Sequence, residues 1–334
     1  MNVLSLFDGM SCGQQALERA GIKVDNYFAS EIDKYAIQIA EKNYPNTKHL
    51  GDVTQISKFW TEHKFPKIDL LIGGSPCQDL SFAKGNGKGL EGERSGLFYK
   101  YFEVLEILRK KNPDIKFLLE NVKMKQEWKD IISEKLGVQP IFINSADFSA
   151  QNRQRLYWTN IPVDEWTPCN DVLQDVLEDS VADRDKSHCI DANYFKGGNL
   201  KSYFEKHRRQ LVFNYNPASI VTRRIDKDGK CIQVGEADIK GRESIRRVYS
   251  PEGKAPTVTT CGGGHREPKV YVPPLQWRKL SCLEVERLQT VPDNYTKYGQ
   301  KENGDIVLIS NTQRFKMLGN GFTINVVSWI IKNL

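Results

Sequence analysis

Val3-Leu4-Ser5-Leu6-Phe7 runs straight into Asp8-Gly9-Met10-Ser11-Cys12-Gly13, and that junction decides the fold. A short apolar run reads as a buried strand, and the glycines behind it let the chain turn into a helix expected over residues 13–20. Gly21 ends that helix, and the pattern repeats. Residues 27–32 read as a second strand, 34–43 as a helix stopped at Pro45, and 49–53, 68–73 and 115–120 as further strands. Between the last two, apolar residues at 97, 98, 101, 102, 105 and 108 mark one face of a helix over 97–110, closed by Asn112-Pro113. Such alternation predicts an α/β fold: a doubly wound, mainly parallel sheet with helices on both faces. Ligands bind such sheets at the carboxyl ends of the strands.

After Arg155-Leu156-Tyr157-Trp158 the alternation stops. A short acidic helix over 170–179 leads into a stretch rich in Arg, Lys, Gly and Asn. It holds β-like pieces at 211–214, 230–234 and 269–272 and closes at Pro273-Pro274. Helical periodicity returns at 281–289 and 324–334. The expected division is one α/β domain from 1–163 and 276–334, interrupted by a smaller β-rich insertion over 164–275. The net charge is +6, yet residues 196–269 hold 16 Lys+Arg against 8 Asp+Glu, so the whole positive excess lies in one stretch. Either it meets a polyanion or it is a solvated basic surface.

Composition narrows the class further. With 334 residues, 39% of them hydrophobic, the chain can bury a real core, and no apolar run approaches a span of about 18–20 residues. The opening residues carry no basic leader, so an intracellular, cytoplasmic protein is expected. Seven cysteines spread singly and five dispersed histidines offer neither a disulfide framework nor a zinc cluster. Gly87-Lys88 is followed by Gly89, so there is no P-loop.

The strand ends carry the chemistry. The loop over 7–13 is not Gly-x-Gly-x-x-Gly, and taken alone it is a tight turn as readily as a cofactor loop. Glu31 follows it by roughly 20 residues, where a carboxylate can hold ribose hydroxyls. Asp52 stands at an equivalent height, and three such strand ends in a row suggest a nucleoside-bearing cofactor. The fourth strand ends in Gly73-Gly74-Ser75-Pro76-Cys77-Gln78-Asp79-Leu80-Ser81. A lone cysteine is usually a small buried hydrophobe. Here Pro76 ends the strand, so Cys77 projects from the rim, where a thiolate can serve as nucleophile. The fifth strand brings Glu120 to the same rim, as a buried hydrogen-bonded acid or as a proton donor.

These residues resemble the DNA (cytosine-5) methyltransferases of the bacterial and phage type over nearly the whole chain. Residues 7–13 match the family's S-adenosylmethionine loop, Ser75-Pro76-Cys77-Gln78 its nucleophile motif and Glu120-Asn121-Val122 its acid motif. Gln151-Asn152-Arg153-Gln154-Arg155 looks like the Gln-x-Arg-x-Arg motif. Residues 278–293 resemble the ninth motif, and 313–321 the tenth. The resemblance implies a Rossmann-like S-adenosylmethionine-dependent fold with a target-recognition domain over 164–275. Its cofactor would be S-adenosylmethionine, without a metal, held by Phe7, Asp8, Gly9, Met10, Ser11, Glu31, Ile32, Asp52, Val53, Leu97, Asn320, Gly321 and Phe322. It implies Cys77 as nucleophile at C6 of cytosine, Glu120 as donor to N3 and Arg155 at O2. DNA contacts are expected from Gln78, Ser81, Lys84, Arg153, Arg208, Arg209, Arg223, Arg224, Arg246, Arg247 and Thr257. Two departures stand out. The glycine loop lacks the Phe-x-Gly-x-Gly form, and Gly321 stands where many members carry Ser.

Double-stranded DNA is the implied partner, and its target base must be flipped out of the stack. The glycine- and lysine-rich segment 81–97 reads as a lid over that base or as a plain surface loop. A monomer in a prokaryotic or phage-infected cell is expected, with a cognate restriction endonuclease as a second partner. An RNA cytosine-5 methyltransferase, a non-catalytic DNA-binding relative and a Rossmann oxidoreductase are the alternatives.

Overall fold

The computed structural model describes residues 1–56, 65–76, 96–213, 233–236, 242, 247–249, 269–270 and 277–334. Strand β1 (Asn2–Leu6) pairs in parallel with β2 (Asn26–Ser30) on one side and β4 (Leu70–Gly74) on the other. With β3 (Lys48–His49), β5 (Lys116–Val122), β6 (Ile141–Asn144) and β7 (Gln154–Thr159) they form one sheet in the order β3-β2-β1-β4-β5-β7-β6. The chain travels outward from β1 through α1 (Cys12–Arg19) to β2 and through α2 (Lys34–Asn43) to β3. It then returns to the far side of β1 as β4. A crevice opens where the direction of travel reverses. Strand β7 runs antiparallel to both β5 and β6. The link from Asn144 to Gln154 is shorter than the dozen or so residues a parallel crossover needs.

One face of the sheet is covered by α3 (Leu97–Lys111) and α4 (Gln126–Leu136). Leu4, Leu6, Leu71, Phe117, Leu119 and Trp158 meet Phe98, Tyr101, Leu105, Leu108, Ile132 and Leu136 there in one buried cluster. Trp158 Nε1 donates to Ser133 Oγ at 2.9 Å, which satisfies the one polar atom of that side chain. Among the described residues the remaining α-helices are α5 (Leu173–Val176), α6 (Leu200–Lys206), α7 (Cys282–Leu288), α8 (Asn311–Asn320) and α9 (Ile324–Ile331). Apolar α9 packs against α1, and Arg19 Nη1 donates to Asn325 Oδ1 at 2.6 Å, so the end of the described chain returns to its beginning.

Some sequence expectations shorten. The strand expected over 49–53 is only Lys48–His49, because Gly51 turns left-handed (φ +72) and Asp52 then caps the next turn, accepting from Thr54 N at 2.8 Å. The acidic helix over 170–179 is the single turn α5. A hairpin, Tyr298–Gln300 with Ile306–Leu308, was not anticipated.

The described residues fall into two units, Met1–Val176 with Arg184–Gln210 and Lys279–Leu334, and Leu177–Asp183 with Leu211–Arg278. The first therefore takes in 164–176 and 184–210, which the sequence division assigned to the insertion. Hydrogen bonds explain it: Gln151 Oε1 accepts from Ile190 N at 3.0 Å and Arg153 Nη1 donates to Ile190 O at 3.0 Å. The second unit begins its strands with β8 (Leu211–Phe213), and in it β10 (Arg247–Tyr249) runs parallel to β11 (Lys269–Val270) and antiparallel to β9 (Gln233–Glu236). Among the described residues no helix is long and apolar enough to cross a membrane.

A buried ion pair joins α7 to α8. The Glu286 carboxylate accepts from Arg314 Nη2 at 3.0 Å, from Thr296 N at 2.9 Å and from Asn294 N at 2.7 Å. Arg314→Met leaves that buried charge without its cation, and a loss of about 3–5 kcal/mol in denaturant-measured stability is expected. An unchanged unfolding midpoint would deny the pair a structural role.

Candidate active site

Phe7, Gly9 and Ser11 all turn left-handed, with φ of +58, +60 and +61, and fold the loop after β1 back on itself. The turned backbone points Gly9 N at Glu31 Oε2, 2.8 Å away. Glu31 Oε1 accepts from Ile32 N at 2.7 Å and Asp33 N at 2.8 Å, so three N–H groups fix the carboxylate. Beneath the loop, Asp8 accepts from Tyr27 Oη and Ser11 Oγ, each at 2.6 Å. Burial raises the Asp8 carboxyl above its ordinary value against these hydrogen bonds.

A cavity of about 340 Å³ opens over these strand ends. Of the expected cofactor residues, Phe7, Asp8, Gly9, Glu31, Ile32, Asp52, Val53, Leu97, Asn320, Gly321 and Phe322 line it. Ile32 is 75% exposed there, a bare apolar face between the Glu31 and Asp52 carboxylates. That arrangement fits a nucleoside, whose flat base needs an apolar platform and whose ribose needs hydroxyl acceptors. Met10 and Ser11 stand apart from these. They are buried beneath the loop and do not line the cavity, because Met10 O accepts from Tyr295 Oη at 2.7 Å and Ser11 Oγ is spent on Asp8.

Residue 321 explains itself. A Cβ there would meet Cys12 Sγ at 3.1 Å and Met317 O at 3.2 Å, so the space a serine needs is taken by Cys12. Gly319 is tighter still, since a Cβ would come within 2.3 Å of the Asp191 backbone.

Sequence reasoning missed one pair on this wall. Lys316 Nζ on α8 lies 2.7 Å from Asp33 Oδ2, while Asp33 Oδ1 caps α2 through Tyr35 N. Burial alone would raise the Asp33 carboxyl, but the bonds from Lys316 and Tyr35 outweigh it and hold the group below its ordinary range. Both residues line the cavity. A half-exposed pair contributes about 0–1 kcal/mol, so Lys316→Met should weaken cofactor binding by about fivefold or less, as read by titration calorimetry.

The rim of β4 and β5 forms the second half of the site. Ser75 and Pro76 line the cavity, and Asn121 Nδ2 donates to Ser75 Oγ at 3.0 Å, tying the end of β5 to the loop that leads to Cys77. Glu120 is buried, and its Oε1 lies 2.8 Å from Arg155 Nε on β7. Its Oε2 and the Phe322 ring crowd Gly74, where a Cβ would meet them at 3.3 and 2.9 Å. The carboxylate, the guanidinium and the Pro76 turn thus meet in the cavity that also holds the nucleoside-type residues.

Arg153 departs from expectation. It is 3% exposed, and its guanidinium donates to Ile190 O at 3.0 Å, Gly319 O at 3.2 Å and Gly321 O at 3.0 Å. These three carbonyls hold it as a strut of the cavity wall. Gln151 has a similar task, donating to Leu288 O and Gln289 Oε1. Arg209 turns left-handed and donates to Gly197 O at 2.6 Å, whereas Arg208 is exposed with Asp191 3.8 Å away. Arg247 is half-buried on β10. Cys77, Gln78, Ser81, Lys84, Arg223, Arg224, Arg246 and Thr257, and most of the expected lid, lie outside the described residues.

The sheet order with its reversed β7, and the cavity at its strand ends, define an α/β methyltransferase of the S-adenosylmethionine-dependent type. The chain belongs to the C-5 cytosine-specific DNA methylase family, whose family model matches residues 1–334. It is an enzyme that transfers a methyl group from S-adenosylmethionine to C5 of cytosine in DNA through a covalent cysteine intermediate. An orphan methyltransferase of Bacillus phage SPbeta is 28% identical over 100% of this chain and 97% of its own length. One of Bacillus phage rho11s is 30% identical over 81% of this chain and 69% of its own. The Entamoeba histolytica methyltransferase EhMeth superposes with a TM-score of 0.55 at 13% identity, over 100% of this chain and 97% of that one. A mutant Spodoptera frugiperda DNMT2 gives 0.53 at 16% identity, over 98% and 97%. At those identities the two structures bear on the fold alone. Similar curated proteins come from Bacillus and its phages, a prokaryotic and phage setting. Among the described residues no group of three or more His, Cys, Asp or Glu could hold a metal ion.

Proposed function

We propose that Cys77 is the nucleophile, Glu120 the proton donor and Arg155 the group that orients the flipped cytosine. The observation that carries this is the Glu120–Arg155 pair, 2.8 Å apart, in a cavity that Pro76 also lines. C5 of cytosine is a poor nucleophile until the Cys77 thiolate adds to C6. Charge then moves toward N3 and O2, where Glu120 gives N3 a proton and Arg155 donates to O2. The ring is now an enamine with electron density at C5. Glu31, Ile32 and Asp52 would hold S-adenosylmethionine, which would supply the methyl group to that carbon and leave as S-adenosylhomocysteine. A base removes the C5 proton, N3 returns its own, and the sulfur departs.

Cys12, a cysteine that lines the cavity, is a poor candidate. It is 2% exposed, and burial pushes its thiol up to about 12, where little thiolate forms.

Residues 164–275 are proposed to choose the target sequence, with Arg223, Arg224, Arg246, Arg247 and Thr257 as contacts and Gln78, Ser81 and Lys84 flanking the flipped base. The working form is proposed as a cytoplasmic monomer, with a cognate restriction endonuclease as its second partner. Light scattering tests the monomer. Bisulfite sequencing of DNA from cells expressing the protein tests the activity: protected cytosines should recur in one short sequence. Complete conversion of every cytosine would overturn the reading.

A further inference from the structure

Immediately beyond the acid motif, Lys123 and Lys125 follow Val122, which lines the site, and no cofactor or catalytic role uses them. Val122 lines the cavity and pairs in register with Arg155, so the chain leaves the reaction centre at this point. Met124 is buried while Lys123 and Lys125 on either side are exposed, so both ammonium groups face solvent. Each lies over an aromatic ring: Lys123 Nζ is 6.0 Å from the centre of Phe142, itself 47% exposed, and Lys125 Nζ is 5.0 Å from that of Trp128. Stacking of this kind limits where a long side chain wanders. The nearest acid, Glu127, is 3.8 Å from Lys125 with both side chains more than half exposed, a pairing too weak to neutralise the ledge.

We infer that Lys123 and Lys125 form a phosphate-binding ledge that grips the DNA backbone beside the flipped nucleotide. The inference rests on the DNA-methylating reading above. A base cannot enter the cavity unless its own strand passes the end of β5, and backbone phosphates passing there meet two fixed cations. The contact is with phosphate, so it adds affinity without adding sequence preference.

The test is equilibrium binding of a synthetic duplex of arbitrary sequence, in the presence of S-adenosylhomocysteine, over a series of salt concentrations. Each phosphate contact contributes about −0.9 to the slope of log K against log salt. The double variant Lys123→Ala, Lys125→Ala should flatten that slope by about 2, and Lys123→Arg, Lys125→Arg should restore it. Calorimetric affinity for S-adenosylhomocysteine should match wild type in both, which excludes misfolding as the cause. A double-alanine slope equal to that of an active wild type would overturn the ledge alone. A wild type that neither binds nor methylates duplex DNA would instead overturn the reading on which it rests.

Discussion

Cys77→Ala abolishes methyl transfer and leaves S-adenosylmethionine affinity close to wild type: that is the largest effect expected. The cofactor-type residues stand in the loops after β1, β2 and β3 and at α3 and α8, so removing one sulfur just beyond Pro76 takes away the nucleophile and little else. The covalent step has a second signature. A duplex carrying 5-fluorocytosine at the target offers C5 a substituent that cannot leave as a cation, so the adduct should persist through denaturation in wild type and be missing from Cys77→Ala. Turnover surviving in the variant would reject attack by this residue and return attention to another cysteine, Cys12 first.

Glu120→Gln should cost about 10²- to 10⁴-fold in rate, the range for a positioned proton donor. Glutamine keeps the length of the side chain and can still meet Arg155, but it has no proton to hand to N3. The cofactor KM and duplex affinity should change little, so the loss should appear in kcat. A fall in DNA affinity large enough to account for the lost rate would make Glu120 a support for Arg155, to which it is bound at 2.8 Å.

The sequence was most legible where local chemistry sets the outcome. The junction at Phe7–Asp8, the helix Lys34–Asn43 and the glutamates at 31 and 120 could be placed because strand, turn and helix signals there agree with the fold. Long-range partners were not legible. Arg153 and Arg155 stand two residues apart in one motif, yet one holds three backbone carbonyls and the other faces Glu120. Nothing local separates them, because the difference lies in Gly319 and Gly321, about half the chain away. For the same reason residues 184–210 seemed to belong with the basic insertion, which they resemble in composition. Their hydrogen bonds to Gln151 and Arg153 join them to the first unit.

The Arg153 strut also fixes when this enzyme can begin to work. Its guanidinium waits for carbonyls at 319 and 321, and α1 waits for α9 to cover it. A nascent chain that has already made β1, Glu31 and Glu120 therefore still lacks one wall of its cofactor cavity. Translation must pass Ile331 before that wall is complete. A polypeptide interrupted earlier, even one retaining Cys77, Glu120 and Arg155, lacks the wall that Asn320, Gly321 and Phe322 supply.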